Sequence, residues 1–166
     1  LIYPFGLLRL LGKAFGMNVI AFDPFVKREN VEKDGVGYVE TIEDLYKKAN
    51  YISLHIPAND KTKKSINYAL LSLMPQGAFL INTARKEVVN EEDLVKLMAE
   101  REDFKYATDI APENLAELKE KFGNRVFATP KKMGAETSEA NINAGLAAIR
   151  QAIGFLKDGI DKFRVN

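Results

Sequence analysis

A few polar side chains in this 166-residue chain sit where chemistry could use them. Asp23 closes the β-branched, apolar stretch Asn18-Val19-Ile20-Ala21-Phe22 and precedes Pro24, seventeen residues after Gly6. A carboxylate at such a strand end can accept hydrogen bonds from the hydroxyls of an adenosine ribose, and it would repel a 2′-phosphate. It can equally be a turn or helix-cap aspartate. Arg85 follows the buried-looking run Ala78-Phe79-Leu80-Ile81 and the polar pair Asn82-Thr83. A guanidinium there can grip a carboxylate with two parallel N–H bonds, or it can stand in solvent as a loop charge. Lys131 and Lys132 could likewise hold an anion, or they could be plain surface charge. His55, the only histidine, ends the run Tyr51-Ile52-Ser53-Leu54 just before Pro57.

These residues share a position relative to the elements that must hold them. Short β-branched and apolar runs at 18–22, 51–55, 78–81, 106–110 and 126–129 read as strands, and 35–39 reads as an edge strand. Between them lie helix-like stretches. Thr41 with Asp44 and Asn90 with Asp93 are cap signals, and Leu94, Leu97 and Met98 form an inward face. A short helix is expected over 67–74, a charged amphipathic one with Leu115, Leu118 and Phe122 inward, and a long alanine-rich one over 136–156. Strands alternating with helices of this size predict a Rossmann-like, doubly wound α/β fold, with a parallel sheet and helices on both faces. Such sheets bind ligands beyond the carboxyl ends of their strands, where Asp23, His55, residues 82–85, Asp109 and residues 129–134 all fall. One feature of a dinucleotide fold is absent: Gly6 and Gly12 do not make G-x-G-x-x-G, and no strand-like run precedes them.

Composition narrows the function classes. Apolar residues make up 46% and charged residues 28%, the balance of a globular domain. Lys and Arg number 24 against 23 Asp and Glu, so no basic surplus points to nucleic acid. No apolar run is long enough to span a bilayer. The absence of cysteine excludes a disulfide framework and thiolate metal ligation, and is compatible with a cytoplasmic setting. No metal site is expected.

Four segments occur together in order. They are Phe15 to Pro24 (FGMNVIAFDP), Ile52 to Pro57 (ISLHIP), Gly77 to Arg85 (GAFLINTAR), and Thr129-Pro130 through Gly134-Ala135. The chain resembles the cofactor domain of the D-isomer-specific 2-hydroxyacid dehydrogenases from about Phe15 onward, and most closely the members that oxidise 3-phosphoglycerate. The resemblance implies an NAD-dependent enzyme converting a small-molecule D-2-hydroxyacid to the 2-oxoacid. It places Asp23 on the ribose, His55 and Pro57 along the cofactor groove, and Thr83 and Ala84 beneath the nicotinamide side. Asp109 would meet the carboxamide, and Gly134 and Ala135 would run along the nicotinamide ribose and ring.

The family's catalytic set is an arginine, a glutamate and a histidine. Arg85 matches the arginine, which binds the substrate carboxylate and polarises the reacting carbonyl. The other two depart from the pattern. The family's T-P-H-(I/V)-G becomes Thr129-Pro130-Lys131-Lys132-Met133-Gly134, which puts Lys132 at the histidine position. The glutamate position falls on Asn114, with Glu113 next door. The two losses are chemically coupled: a lysine needs no carboxylate partner to stay protonated, whereas an imidazole is held by one. Arg85 and Lys132 are therefore the expected catalytic pair. Lys86-Glu87 replaces the family's Gly-Gly after the arginine.

In this family a separate substrate domain precedes the cofactor domain. The chain is expected to be one N-terminally incomplete NAD-binding domain, 1–166, without its first strand, whose last segment, about 137–166, would return to that substrate domain. A homodimer is expected, and activity from the chain alone is not. Two other readings stay open: a relative acting on glycerate, lactate or glyoxylate-type acids, and a non-catalytic NAD-sensing module.

Overall fold

The structure, a computed structural model, describes residues 5–129 and 138–161. In chain order the elements are α1 (Phe5–Ala14), β1 (Ile20–Ala21), α2 (Arg28–Glu32), β2 (Gly37–Tyr38), α3 (Ile42–Lys48), β3 (Tyr51–Leu54) and α4 (Tyr68–Leu71). They continue as β4 (Phe79–Asn82), α5 (Glu91–Glu100), β5 (Lys105–Thr108), α6 (Leu115–Phe122), β6 (Val126–Ala128) and α7 (Ser138–Asp158). All strand pairs are parallel. β1 pairs with β2, and β3-β4-β5-β6 form a four-stranded sheet in sequence order. Parallel neighbours need a crossover, and α4, α5 and α6 supply one between each successive pair.

Local chemistry starts the helices where the sequence says it should. Thr41 Oγ1 accepts from Asp44 N at 3.1 Å to open α3, and Asn90 Oδ1 accepts from Asp93 N at 3.4 Å to open α5. Asn67 caps α4 in the same way, 3.1 Å from Leu70 N. These bonds satisfy backbone donors that a helix leaves free at its start. Gly123, at φ +55°, ends α6 in a conformation that a side chain would resist.

The core lies between the four-stranded sheet and α3–α6. Leu71, Leu80, Leu94, Leu97, Met98, Phe104 and Leu118 are buried there. Each such side chain contributes about 1.5–3 kcal/mol relative to exposure. Tyr46 is buried among them, its hydroxyl lacks a partner among the described residues, and burial pushes its phenol well up. A second, smaller cluster of Ala21, Val31 and Val36 belongs to β1, α2 and β2.

The parallel α/β architecture is the one the sequence predicts, with differences of extent. The strand expected over 18–22 forms only at Ile20–Ala21, and the helix expected over 67–74 forms over Tyr68–Leu71. α1 and α2 were not expected; neither carries the cap signals that mark α3 and α5, and Gly6 and Gly12 lower the helix propensity of α1. Coverage of the four-stranded sheet is uneven. Ile52, Leu54, Leu80 and Tyr106 are buried against helices, while Tyr51, Phe79, Lys105 and Phe127 on the opposite face are exposed or half-buried. No residue of α7 is buried.

Candidate functional site

Register builds the rim. Leu54 pairs with Asn82, Asn82 with Thr108, and Thr108 with Ala128, so four strands end level. The next residues, His55, Thr83, Asp109 and Thr129, therefore form a row beyond the carboxyl ends. Neighbouring strands lie about 4.8 Å apart, so the row spans roughly 15 Å, on the scale of a nucleotide. Two recessed surfaces lie elsewhere, one along α7 at Gly154, Phe155 and Ile160, the other beside Val126 and Phe127.

Asn82 shapes the turn that carries Arg85. It is buried, its Oδ1 accepts from Ala84 N at 3.0 Å, and its Nδ2 donates to Arg85 O at 3.0 Å. The Arg85 side chain is exposed and donates from Nη1 to Ala84 O at 3.0 Å. Among the described residues no carboxylate forms an ion pair with it, so its fork remains available to an anionic ligand. Lys86 instead pairs with Glu113, 2.9 Å from Nζ to Oε1. That bond holds the lysine above its ordinary pKa and the glutamate below its own.

The loop after β5 is held tightly. Thr108 Oγ1 donates to Ile110 O at 2.9 Å and accepts from Ile110 N at 3.1 Å. Thr129 Oγ1 donates to Asp109 O at 3.1 Å. Glu91, at the start of α5, accepts from Glu113 N and Asn114 N at 3.1 and 3.3 Å. Yet Asp109 Oδ1 and Asn114 Oδ1 are buried without a hydrogen-bond partner among the described residues. A buried acceptor left unpaired costs about 1–3 kcal/mol, so both atoms call for a donor beyond the described residues.

Asp23 accepts from Phe25 N at 2.8 Å through one oxygen. The turn role that the sequence allowed is thus real, and the second oxygen is left for another donor. His55 shares a 2.9 Å hydrogen bond with Ser53 Oγ, and desolvation lowers its pKa. Pro57 O accepts from Thr62 Oγ1 at 2.5 Å, fixing the loop beyond His55. Thr83, Ala84 and Asp109 lie together at the rim. Lys132, Gly134 and Ala135, and with them the expected proton-transfer group, lie outside the described residues. Glu91 was not anticipated; its role depends on a contact across 22 residues, which no local pattern announces. Among the described residues no group of three or more His, Asp or Glu side chains could hold a metal ion. No described helix is long and apolar enough to cross a membrane.

The family model for the NAD binding domain of the D-isomer specific 2-hydroxyacid dehydrogenases matches residues 8–132. The chain belongs to that family. A solved NAD+-bound 3-phosphoglycerate dehydrogenase of Entamoeba histolytica is 43% identical, with a TM-score of 0.81; the match covers 96% of this chain and 50% of that one. D-3-phosphoglycerate dehydrogenase of Methanocaldococcus jannaschii is 34% identical over 84% of this chain and 26% of its own length. Hydroxypyruvate reductase of Thermotoga maritima is 30% identical over 83% of this chain and 45% of its own. The chain thus spans a quarter to a half of these relatives. The unpaired acceptor of Asp109 fits the amide end of the family's NAD cofactor, and the free oxygen of Asp23 fits its ribose.

Proposed function

We propose that the chain is the cofactor-binding part of an NAD-dependent dehydrogenase that oxidises 3-phosphoglycerate to 3-phosphohydroxypyruvate, the reaction that opens serine biosynthesis. The observation that carries the reading is the level row His55, Thr83, Asp109 and Thr129, with a buried unpaired acceptor at Asp109 and an unpaired guanidinium at Arg85. Similarity to phosphoglycerate dehydrogenases supports the choice of substrate.

The bound nicotinamide supplies the carbon that receives the substrate's hydride. The residues of this chain do the rest. Asp23 holds ribose hydroxyls, and its charge disfavours a 2′-phosphate. His55 and Pro57 would line the cofactor's groove, and Thr83 and Ala84 would support its nicotinamide side. Asp109 would accept from the carboxamide and so orient the ring toward the substrate. By the family resemblance, Gly134 and Ala135 would serve the nicotinamide ribose and ring. Arg85 grips the substrate carboxylate. Lys132, as the neutral amine, takes the hydroxyl proton as hydride leaves C2, and as the ammonium returns it in the reverse direction. Arg85 and partial desolvation ease the loss of the lysine proton. Residues 137–166 would return to a substrate domain, and the assembly would be a cytoplasmic homodimer.

The test is an assay of the whole protein against 3-phosphoglycerate, D-glycerate and D-lactate, with Lys132→Met beside it. Lys132→Met is expected to lower kcat by about 10²-fold or more while NADH affinity holds. Near-normal turnover would remove Lys132 from the reaction. A preference for an unphosphorylated acid would favour the second reading, which the lactate dehydrogenase and hydroxypyruvate reductase relatives support.

A further inference from the structure

We propose that Glu91 is a positioning residue for the nicotinamide end of the cofactor: its carboxylate ties the loop 109–114 to the segment that carries Arg85. The inference rests on the cofactor reading above. Glu91 opens α5, six residues after Arg85. Its two oxygens take the backbone N–H groups of Glu113 and Asn114, at 3.1 and 3.3 Å. These donors lie at the start of α6, where the helix itself supplies no acceptor. Hydrogen bonds to an ionised group are roughly twice as strong as neutral ones, so this carboxylate is a firm anchor. The Lys86–Glu113 pair makes a second, exposed link between the same two segments.

What is anchored is the point. Thr108, Thr129 and Glu91 fix the backbone of the loop, while Asp109 Oδ1 and Asn114 Oδ1 inside it are buried with no hydrogen-bond partner among the described residues. A loop made rigid around two empty acceptors is preorganised for a donor that arrives with the ligand, and a carboxamide brings two N–H groups. Helix formation alone does not explain the residue. Glu92 and Asp93 already place negative charge in the first turn of α5, and Asn90 caps it. Asp93 is used separately, accepting from Tyr68 N at 3.0 Å.

The experiment compares NADH with ADP-ribose, which has the adenosine end and lacks the nicotinamide. In the full chain, Glu91→Ala should weaken NADH binding by about tenfold, because the ligand must then order the loop itself. It should also return the bound NADH emission toward that of the free coenzyme, and leave ADP-ribose affinity unchanged. Glu91→Gln, which keeps one acceptor, should fall between. Amide exchange, read without ligand, should quicken at Glu113 and Asn114. Unchanged NADH affinity, an equal loss of both ligands, or unchanged exchange at those amides would overturn the proposal. A parent chain that binds ADP-ribose but not NADH would overturn it as well. One that binds neither would contradict the cofactor reading itself.

Discussion

Asp109 makes the clearest chemical demand on the rim, because one oxygen is buried and no described residue answers it. Asp23 makes a milder one, with one oxygen engaged by Phe25 N and the other free. Its negative charge should set the choice between coenzymes. Asp23→Ser is expected to raise NADPH affinity relative to NADH several-fold, by removing repulsion of the 2′-phosphate. Parallel titrations with the two coenzymes check this, and an unchanged ratio would confine Asp23 to its turn. At this scale the sequence was informative wherever a residue's role follows from its place at a strand end. Asp23, Arg85 and Asp109 were expected past strand ends, and that is where the fold puts them. Glu91 and the orphaned side chain of Asn114 could not be read that way, since their meaning lies in contacts between segments distant in the chain.

Helices and strands were legible to the extent that local chemistry sets them. Thr41 and Asn90 announce α3 and α5, and Leu94, Leu97 and Met98 announce the buried face of α5. β1 is shorter than its sequence promises because only Ile20 and Ala21 find a partner, in Gly37 and Tyr38. One join between elements carries a pH dependence. Arg101, at the end of α5, donates to Met74 O and Pro75 O and pairs with Asp103, which also accepts from Gly77 N at 2.6 Å. The Arg101 bond holds the Asp103 carboxyl down at about 2, below its ordinary 3.8. A depressed carboxylate stabilises the fold above its unfolded-state pKa and stops doing so as pH falls through its folded one. Stability should therefore decline between about pH 4 and pH 2. Asp103→Asn should flatten that part of the curve, as thermal melts across the range would show. An unchanged curve would mean that other carboxylates govern acid unfolding.

The described residues form two parallel sheets rather than one. In the doubly wound order the first strand of the fold lies at the centre, between the two halves of the sheet. Here β1 pairs with β2 alone, and β3 to β6 form a separate sheet among the described residues. The sequence carries no G-x-G-x-x-G. It did not foreshadow that α7 would bury none of its residues, because an apolar stripe such as Ile142, Leu146, Ile149 and Ile153 says that a helix packs but not on what. The central claim, that the rim binds a nicotinamide dinucleotide, is independent of what covers those surfaces. It is tested most directly by titrating the chain with NADH, following the nicotinamide fluorescence and competing with NAD. The account predicts saturable binding, a changed emission and displacement by NAD. Emission that stays that of the free coenzyme up to about 1 mM, the level at which binding is worth only about 4 kcal/mol, would contradict it.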